Sequence, residues 1–256
     1  MVSSVDISPL SGITSIGSGF LDGCVTLESL NLAPLQNVEV IGIGFLARCS
    51  DLTSLDFSPM TKVSHIGSSF LVGCSGLSHV DFSSFKNTLQ QIDSHFMDGC
   101  VNMCRIKLDF ISHFTEVPVA FMNFCYGFGA IDLKPLTNIT KVGARFLRHT
   151  HFSQIDLSPL ASVTCIGAEF LMGCKYLKDL DLTPLQGVIS VGAGFLDGCE
   201  SLTKLNLNPL QLALQDPNQP RIAINNCTKL VQITLNEELR SEVTFCYKIR
   251  RNVVYV

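Results

Sequence analysis

The chain has no tryptophan and only 4 tyrosines among its 256 residues. A carbohydrate site built on an exposed indole platform therefore has no obvious material. Charge is sparse: 16 % of residues are charged and the net charge is −4. Nucleic acid requires a basic stripe, so it is not an expected partner. No apolar run approaches the ~18 residues that span a bilayer, and membrane insertion is not expected. A nucleophile elbow, an HExxH pair, a phosphate-cradling glycine loop and a metal-ligand cluster are all missing. Neither an enzyme nor a cofactor nor a metal is expected. The opening "MVSSVDISPLSG" lacks the basic and apolar stretches of a secretory signal. That favours the cytoplasm. The chain also begins inside a repeating pattern, so a fragment of a longer protein at the cell surface is the other reading.

What the chain does have is repetition. "IGSGFLDGC" at 16–24 returns as "IGIGFLARC" (41–49), "IGSSFLVGC" (66–74), "IGAEFLMGC" (166–174) and "VGAGFLDGC" (191–199). Its last residue falls at Cys24, Cys49, Cys74, Cys100, Cys125, Thr150, Cys174 and Cys199, at intervals of 24 to 26 residues, and then at Cys227. A fixed period of ~20–30 residues indicates a solenoid. Phe occupies positions 20, 45, 70, 96, 121, 146, 170 and 195, and an Ile or Val stands four residues before each. After each anchor comes an alternating segment such as "LKDLDLTPL" (177–185). Alternation at period two reads as a half-buried strand. The recurrent proline that follows ends the strand and starts a turn. One coil is therefore a strand, a Pro turn, a short apolar run closed by Gly, and one helical turn carrying Phe. Such coils bury their apolar faces only by stacking. Each buried Phe contributes on the order of 1.5–3 kcal/mol.

L-x-x-L-x-L within a 25-residue period resembles the leucine-rich repeat. The fuller phrase C-x-x-L-x-x-L-x-L-x-P-L-x-x-V-x-x-I-G-x-x-F-L-x-G-C resembles the BspA-like (Treponema-type) subclass. The "LDLSPL" and "GFLxGC" variants are similar to repeats of kinetoplastid leucine-rich-repeat proteins. The resemblance implies an α/β, β-rich right-handed solenoid. A parallel β-sheet would line its concave face, and short strands and helical turns its convex face. Residues 1–235 would form nine to ten coils, and 236–256 a C-terminal cap within the same domain. It further implies a non-catalytic protein-binding scaffold, with a surface adhesin or host-interaction ectodomain as the alternative. The Asn ladder of many leucine-rich repeats is replaced here by Leu35, Met60, Leu136, Leu160 and Leu185.

The 11 cysteines invite a disulfide or metal reading, but most of them fill one position per coil. Thr150 in that column suits a small buried side chain that hydrogen-bonds to backbone. Stacked cysteines would lie ~5 Å apart, within reach of a bridge but with parallel Cβ vectors that strain it.

Between the buried aliphatics of each strand one residue points outward: Asp6, Asn31, Asp56, Asp81, Lys107, Asp132, Asp156, Asp181, Asn206 and Thr234. Neighbouring carboxylates ~5 Å apart repel by about 0.8 kcal/mol in bulk water. Either each Asp bonds locally to the Ser or Thr two residues on, or the column is an acidic strip for a basic segment of a protein partner. Residues 83–128 break the template. Lys107 interrupts the Asp column, with Arg105 two residues earlier on the same face and His79, Asp81 and Asp132 flanking them, and phenylalanines are dense there. This is either a core repacked with aromatics or a mixed-charge recognition patch. The candidate partner-binding set is His79, Asp81, Arg105, Lys107, Asp132, Asp156, Asp179 and Asp181. His149 and His151 read as surface residues at a coil return. Lys248, Arg250 and Arg251 read as part of the cap.

Overall fold

Successive 25-residue periods lie on one another as coils, and the backbone explains how they join. The computed structural model describes residues 3–216, 222–245 and 253–255; Pro217, Pro220 and the basic cap residues Lys248, Arg250 and Arg251 lie outside these. The apolar run before each template glycine forms a two-residue strand. These are β1 (Ser15–Ile16), β2 (Val40–Ile41), β3 (His65–Ile66), β4 (Gln91–Ile92), β5 (Glu116–Val117), β6 (Lys141–Val142), β7 (Cys165–Ile166) and β8 (Ser190–Val191). They pair in parallel and in register, giving the ladders β1–β2–β3–β4 and β5–β6–β7–β8.

The break between the two ladders has a covalent cause. At regular joints the residue after the strand donates its N–H to the aliphatic carbonyl one coil earlier. Gly67 donates to Ile41 at 2.8 Å, Asp93 to Ile66 at 2.9 Å and Gly143 to Val117 at 2.9 Å. Between β4 and β5 that residue is Pro118, which has no N–H to give. Aromatic packing fills this joint instead. Phe82 and Phe110 meet at 5.0 Å between ring centroids, and Phe96 and Phe121 at 5.1 Å. Phe85, Phe96, Phe110, Phe121 and Phe128 are all buried. Most of the aromatic density in the irregular middle is thus core.

The L-x-x-L-x-L segments form a continuous ladder only late in the chain. There β9 (Lys204–Asn206), β11 (Gln232–Leu235) and β13 (Val253–Tyr255) pair in parallel in that order, while β10 (Ile222–Ile224) pairs with β12 (Val243–Phe245). Earlier coils have isolated parallel bridges, Asp56 with Asp81 and His79 with Arg105. Single bonds accompany them, such as Cys104 N–H to the Ser78 carbonyl at 2.9 Å. The extended stretch is short because it runs directly into a 3₁₀ turn with proline in its first turn, as at Ala33–Leu35 and Thr183–Leu185. Burial alternates as the sequence requires: Leu30 and Leu32 are buried and Asn31 is exposed.

The turn that carries Phe is not helical, contrary to the sequence expectation. Its residues alternate into the left-handed region: Gly19, Leu21 and Gly23 have φ of 75°, 52° and 75°. The residue after each Phe repeats this, with φ between 51° and 57° at Leu46, Leu71, Met97, Met122, Leu147, Leu171 and Leu196. A helical turn would close its hydrogen bonds within the coil. Here alternate N–H groups reach opposite neighbours, while those between them, such as Ala47 to Gly44 at 3.3 Å, close within the coil. Gly19 donates forward to Ile43 at 2.7 Å, Gly23 forward to Ala47 at 2.8 Å, and Leu46 back to Phe20 at 2.8 Å. A left-handed leucine costs about 1–2 kcal/mol, which burial of its side chain, at roughly 1.5–3 kcal/mol, offsets. The phenylalanines themselves stack. Phe20–Phe45, Phe45–Phe70 and Phe70–Phe96 are each 5.4 Å apart and within 8° of parallel.

The cysteines close the joint. Cys49 donates its thiol to the Leu21 carbonyl at 3.2 Å, Cys74 to Leu46 at 3.0 Å and Cys100 to Leu71 at 3.1 Å. Cys125 to Met97 (3.2 Å), Cys174 to Leu147 (3.3 Å), Cys199 to Leu171 (3.3 Å) and Cys227 to Leu196 (3.3 Å) continue the series. Each acceptor is the left-handed residue of the preceding coil. Thr150 departs from this: its hydroxyl donates at 2.8 Å to Leu147, three residues back in its own coil. The flanking ring stack is looser there, with Phe121–Phe146 at 6.4 Å and Phe146–Phe170 at 6.1 Å.

Two predictions follow from this packing. A β-carbon on Gly67 would lie 2.8 Å from the carbonyl carbon of Gly42, whereas one on Gly99 meets nothing nearer than 3.6 Å. Gly67→Ala should therefore cost at least the upper part of the ~1–3 kcal/mol typical of overpacking. Gly99→Ala, with φ of 76°, should cost only the backbone term of about 1 kcal/mol. Urea unfolding midpoints of the two variants check the order. Burial raises the Cys74 thiol to about 12 and the Cys174 thiol to about 11, while Cys104 is exposed. Iodoacetamide at pH 8, mapped by mass spectrometry, should label Cys104 in the native protein and Cys74 and Cys174 only after unfolding.

Candidate functional site

The outward column of the leucine segments is built from Asx turns. Each Oδ1 accepts the backbone N–H two residues on: Asp6 from Ser8 (2.9 Å), Asn31 from Ala33 (3.0 Å), Asp56 from Ser58 (2.9 Å) and Asp81 from Ser83 (2.8 Å). The same bond recurs from Asp132 to Lys134 (3.0 Å), Asp156 to Ser158 (2.9 Å), Asp181 to Thr183 (2.8 Å) and Asn206 to Asn208 (3.1 Å). The local reading of the column thus accounts for one oxygen of each side chain. It also explains why Asp and Asn interchange: both supply that oxygen. At five positions the bonds hold the carboxyl below the ordinary aspartate range. At Asp6, Asp56, Asp81 and Asp156 the backbone N–H of the following Ser is the largest cause and its hydroxyl the next. At Asp181 the Thr183 hydroxyl leads. All five stay ionised and exposed.

Lys107 interrupts the column and lies close enough to Asp81 to lower its pKa further. The His79–Arg105 backbone bridge sets the next pair of side chains beside each other. Together His79, Asp81, Arg105 and Lys107 rim a concavity of about 540 Å³, with Val80, Cys104 and Ile106 completing its lining. A second concavity of about 530 Å³ takes Asp179 and Asp181 together with Gln154, Lys204 and Gln232. Asp132 and Asp156 occupy the column between the two and line neither of them. The candidate set is therefore two clusters joined by a row of exposed carboxylates. Both are mixed in charge: the first sets Arg105 and Lys107 beside Asp81, and the second sets Lys204 beside Asp179 and Asp181. What such a surface can do is pair charges and hydrogen bonds with a partner.

Sequence reading left a further group scattered. Phe124 and Tyr126 fell in the irregular middle, and His149 and His151 at a coil return. Each His is 25 residues after its ring partner, one period, so the columns coincide. In the structure Phe124 stacks on His149 at 4.8 Å and Tyr126 on His151 at 4.8 Å. Counting offsets from the Cys column is the signal that finds them.

The Asx turns carry a pH signature. A carboxyl whose folded pKa is depressed stabilises the fold above its unfolded pKa, and this is lost as pH falls through the folded value. Thermal stability should therefore hold down to about pH 4 and fall below it. Asp56→Ala should lower the melting temperature at pH 7, while Asp56→Asn, which keeps the oxygen, should retain most of it. Calorimetric scans of the three proteins across acid pH check both.

The comparisons with known proteins agree with this architecture. The family model for the BspA type leucine-rich repeat region, in 6 copies, matches residues 2–104, 60–178 and 92–218. A leucine-rich repeat protein from Eubacterium ventriosum superposes over 91% of this chain with a TM-score of 0.52 at 15% identity, and this chain spans 66% of that one. A leucine-rich cell surface protein from Faecalibacterium prausnitzii superposes over 94% of this chain and 85% of its own, with a TM-score of 0.50 at 14% identity. Both structures are bacterial, and neither extends the kinetoplastid resemblance. No curated protein matches the chain. With the repeat columns, the stacked coils and the family model all in register, the chain belongs to the BspA-type leucine-rich repeat family.

Proposed function

We propose that this protein is a non-catalytic interaction module that binds a protein partner across the face of its leucine segments. The observation that carries the reading is the concavity rimmed by His79, Asp81, Arg105 and Lys107. It is the place where the repeated acidic column acquires cations. Stacked repeats of this kind present extended binding surfaces, and Arg is enriched at binding hot spots. A partner segment would set its acidic side chains on Arg105 and Lys107. Its basic side chains would run along Asp132, Asp156, Asp179 and Asp181, which are exposed. Coulomb pairing at exposed sites weakens with salt.

A second reading is a surface adhesin or host-interaction ectodomain. It is supported by the sequon Asn138-Ile139-Thr140, whose asparagine is exposed. The Faecalibacterium prausnitzii protein is itself described as a cell surface protein. N-glycan mapping at Asn138 and Asn226 on protein from the native source separates the two readings.

The test is affinity capture from that source followed by titration of the recovered partner. Arg105→Glu with Lys107→Glu should weaken binding at least about tenfold, the range of a lost hot spot. Raising salt from about 20 mM to about 150 mM should weaken it as well. Binding that ignores both changes would place the site elsewhere.

A further inference from the structure

In two successive coils, aromatic rings occupy both positions flanking the Cys column. The residue before the anchor is Gly23, Gly73, Gly99, Gly173 or Gly198 in five coils and Arg48 or Asn226 in two others, but Phe124 and His149 in these two. All four non-glycine residues keep the left-handed backbone of the glycines, with φ of 61°, 55°, 56° and 57° at Arg48, Phe124, His149 and Asn226. The residue after the anchor is Tyr126 and then His151; one coil later it is Lys175, with Tyr176 next to it.

The five rings form one ladder on the surface. Phe124 lies flat on His149, 4.8 Å away and 6° from parallel. Tyr126 lies on His151 at 4.8 Å and 22°, and His151 meets Tyr176 edgewise at 4.9 Å. Tyr126 and Tyr176 are 37% and 54% exposed. The Arg148 guanidinium sits 4.8 Å over the Phe124 ring. Burial, then Arg148 and Lys175, push the His149 pKa down, and burial and Lys175 do the same at His151. Lys175 is thus a near neighbour of both imidazoles.

The chemistry of this surface follows from the stacking. The Phe124–His149 and Tyr126–His151 pairs cover one another's faces and leave their edges open, and an aromatic edge is the positive end of the ring quadrupole. Uncharged imidazoles and tyrosine hydroxyls add hydrogen-bond donors. Three cations border the ladder: Arg145, Arg148 and Lys175. Two carboxylates accompany them. Glu169 pairs with both arginines at 3.1 and 3.0 Å, and Glu200 pairs with Lys175 at 3.3 Å. The Lys175–Glu200 pair is about half exposed on each side, so it contributes little by itself. An incoming carboxylate can replace Glu200 there.

We propose that the Phe124–His149 and Tyr126–His151–Tyr176 ladder is a second docking surface, for an acidic segment of a protein partner. It is separate from the leucine-segment face, whose outward column is mainly carboxylate and amide. Three cations against two carboxylates leave its border net positive, and the ring N–H groups and hydroxyls can donate, which a carboxylate-rich chain complements.

The experiment uses the full chain and a fluorescein-labelled decaglutamate peptide at low salt, with decalysine as the sign control. Decaglutamate should bind. Tyr126→Ser with Tyr176→Ser should weaken it at least about tenfold, as should Lys175→Glu alone, a change at a half-exposed side chain that guards against misfolding of the double variant. Arg105→Glu with Lys107→Glu should weaken decaglutamate binding less than the ring variants do, which separates this surface from the leucine-segment face. The proposal is overturned if decaglutamate does not bind, if decalysine binds as tightly, or if the Arg105/Lys107 variant and not the ring variants removes binding.

Discussion

A thiol in one coil donating to the carbonyl of a left-handed leucine in the coil before it is the interaction on which this solenoid depends. The left-handed turn aims that carbonyl along the stack. The same carbonyl also accepts the anchor N–H of its own coil, as Leu71 does from Cys74 at 3.3 Å, so both lone pairs are used. Cysteine suits the site because it is small and apolar yet carries a weak donor. A buried hydroxyl would need a stronger bond to compensate its desolvation, and Thr150 finds one within its own coil. This column takes over the joining role that an Asn ladder has in many leucine-rich repeats.

Where that interaction or its companions lapse, the structure changes character. Pro118 removes one N–H and splits the strand ladder in two, and aromatic packing replaces the lost bonds. Thr150 redirects one inter-coil bond, and the phenylalanine stack widens on both sides of Phe146. The ring ladder of Phe124 and His149 bridges the coils at this same joint. The departures from the template are therefore where the chain found other means of adhesion, and where new side chains reached the surface.

The sequence showed the period, the Phe and Cys columns and the coil as a unit, because each is a one-residue regularity repeated many times. It offered the Asx turns as one of two readings of the Asp column, since Asp, Ser and Pro at fixed offsets have a local mechanism. The left-handed leucines were not legible. Leucine carries no conformational signal of its own, and Phe-Leu in an apolar run reads as helix. The thin pairing of the leucine segments was hidden for a related reason: alternating burial marks which face a side chain takes, not whether its backbone finds a partner. The break at Pro118 was readable in principle from the missing N–H. At the candidate surface, the charges of His79, Asp81, Arg105 and Lys107 were legible, but the concavity they rim depends on their pairing across coils.

The family supplies an extended surface, and this chain's own residues supply what that surface selects. All of it requires the coils to remain locked at the cysteine column. The most direct test is the infrared S–H stretching band, which lies clear of other protein absorptions. In the native protein the band of the buried cysteines should sit at lower wavenumber than in urea-unfolded protein, as hydrogen-bonded thiols do. A native band at the unfolded position, or its absence because the column has oxidised to disulfides, would contradict the account.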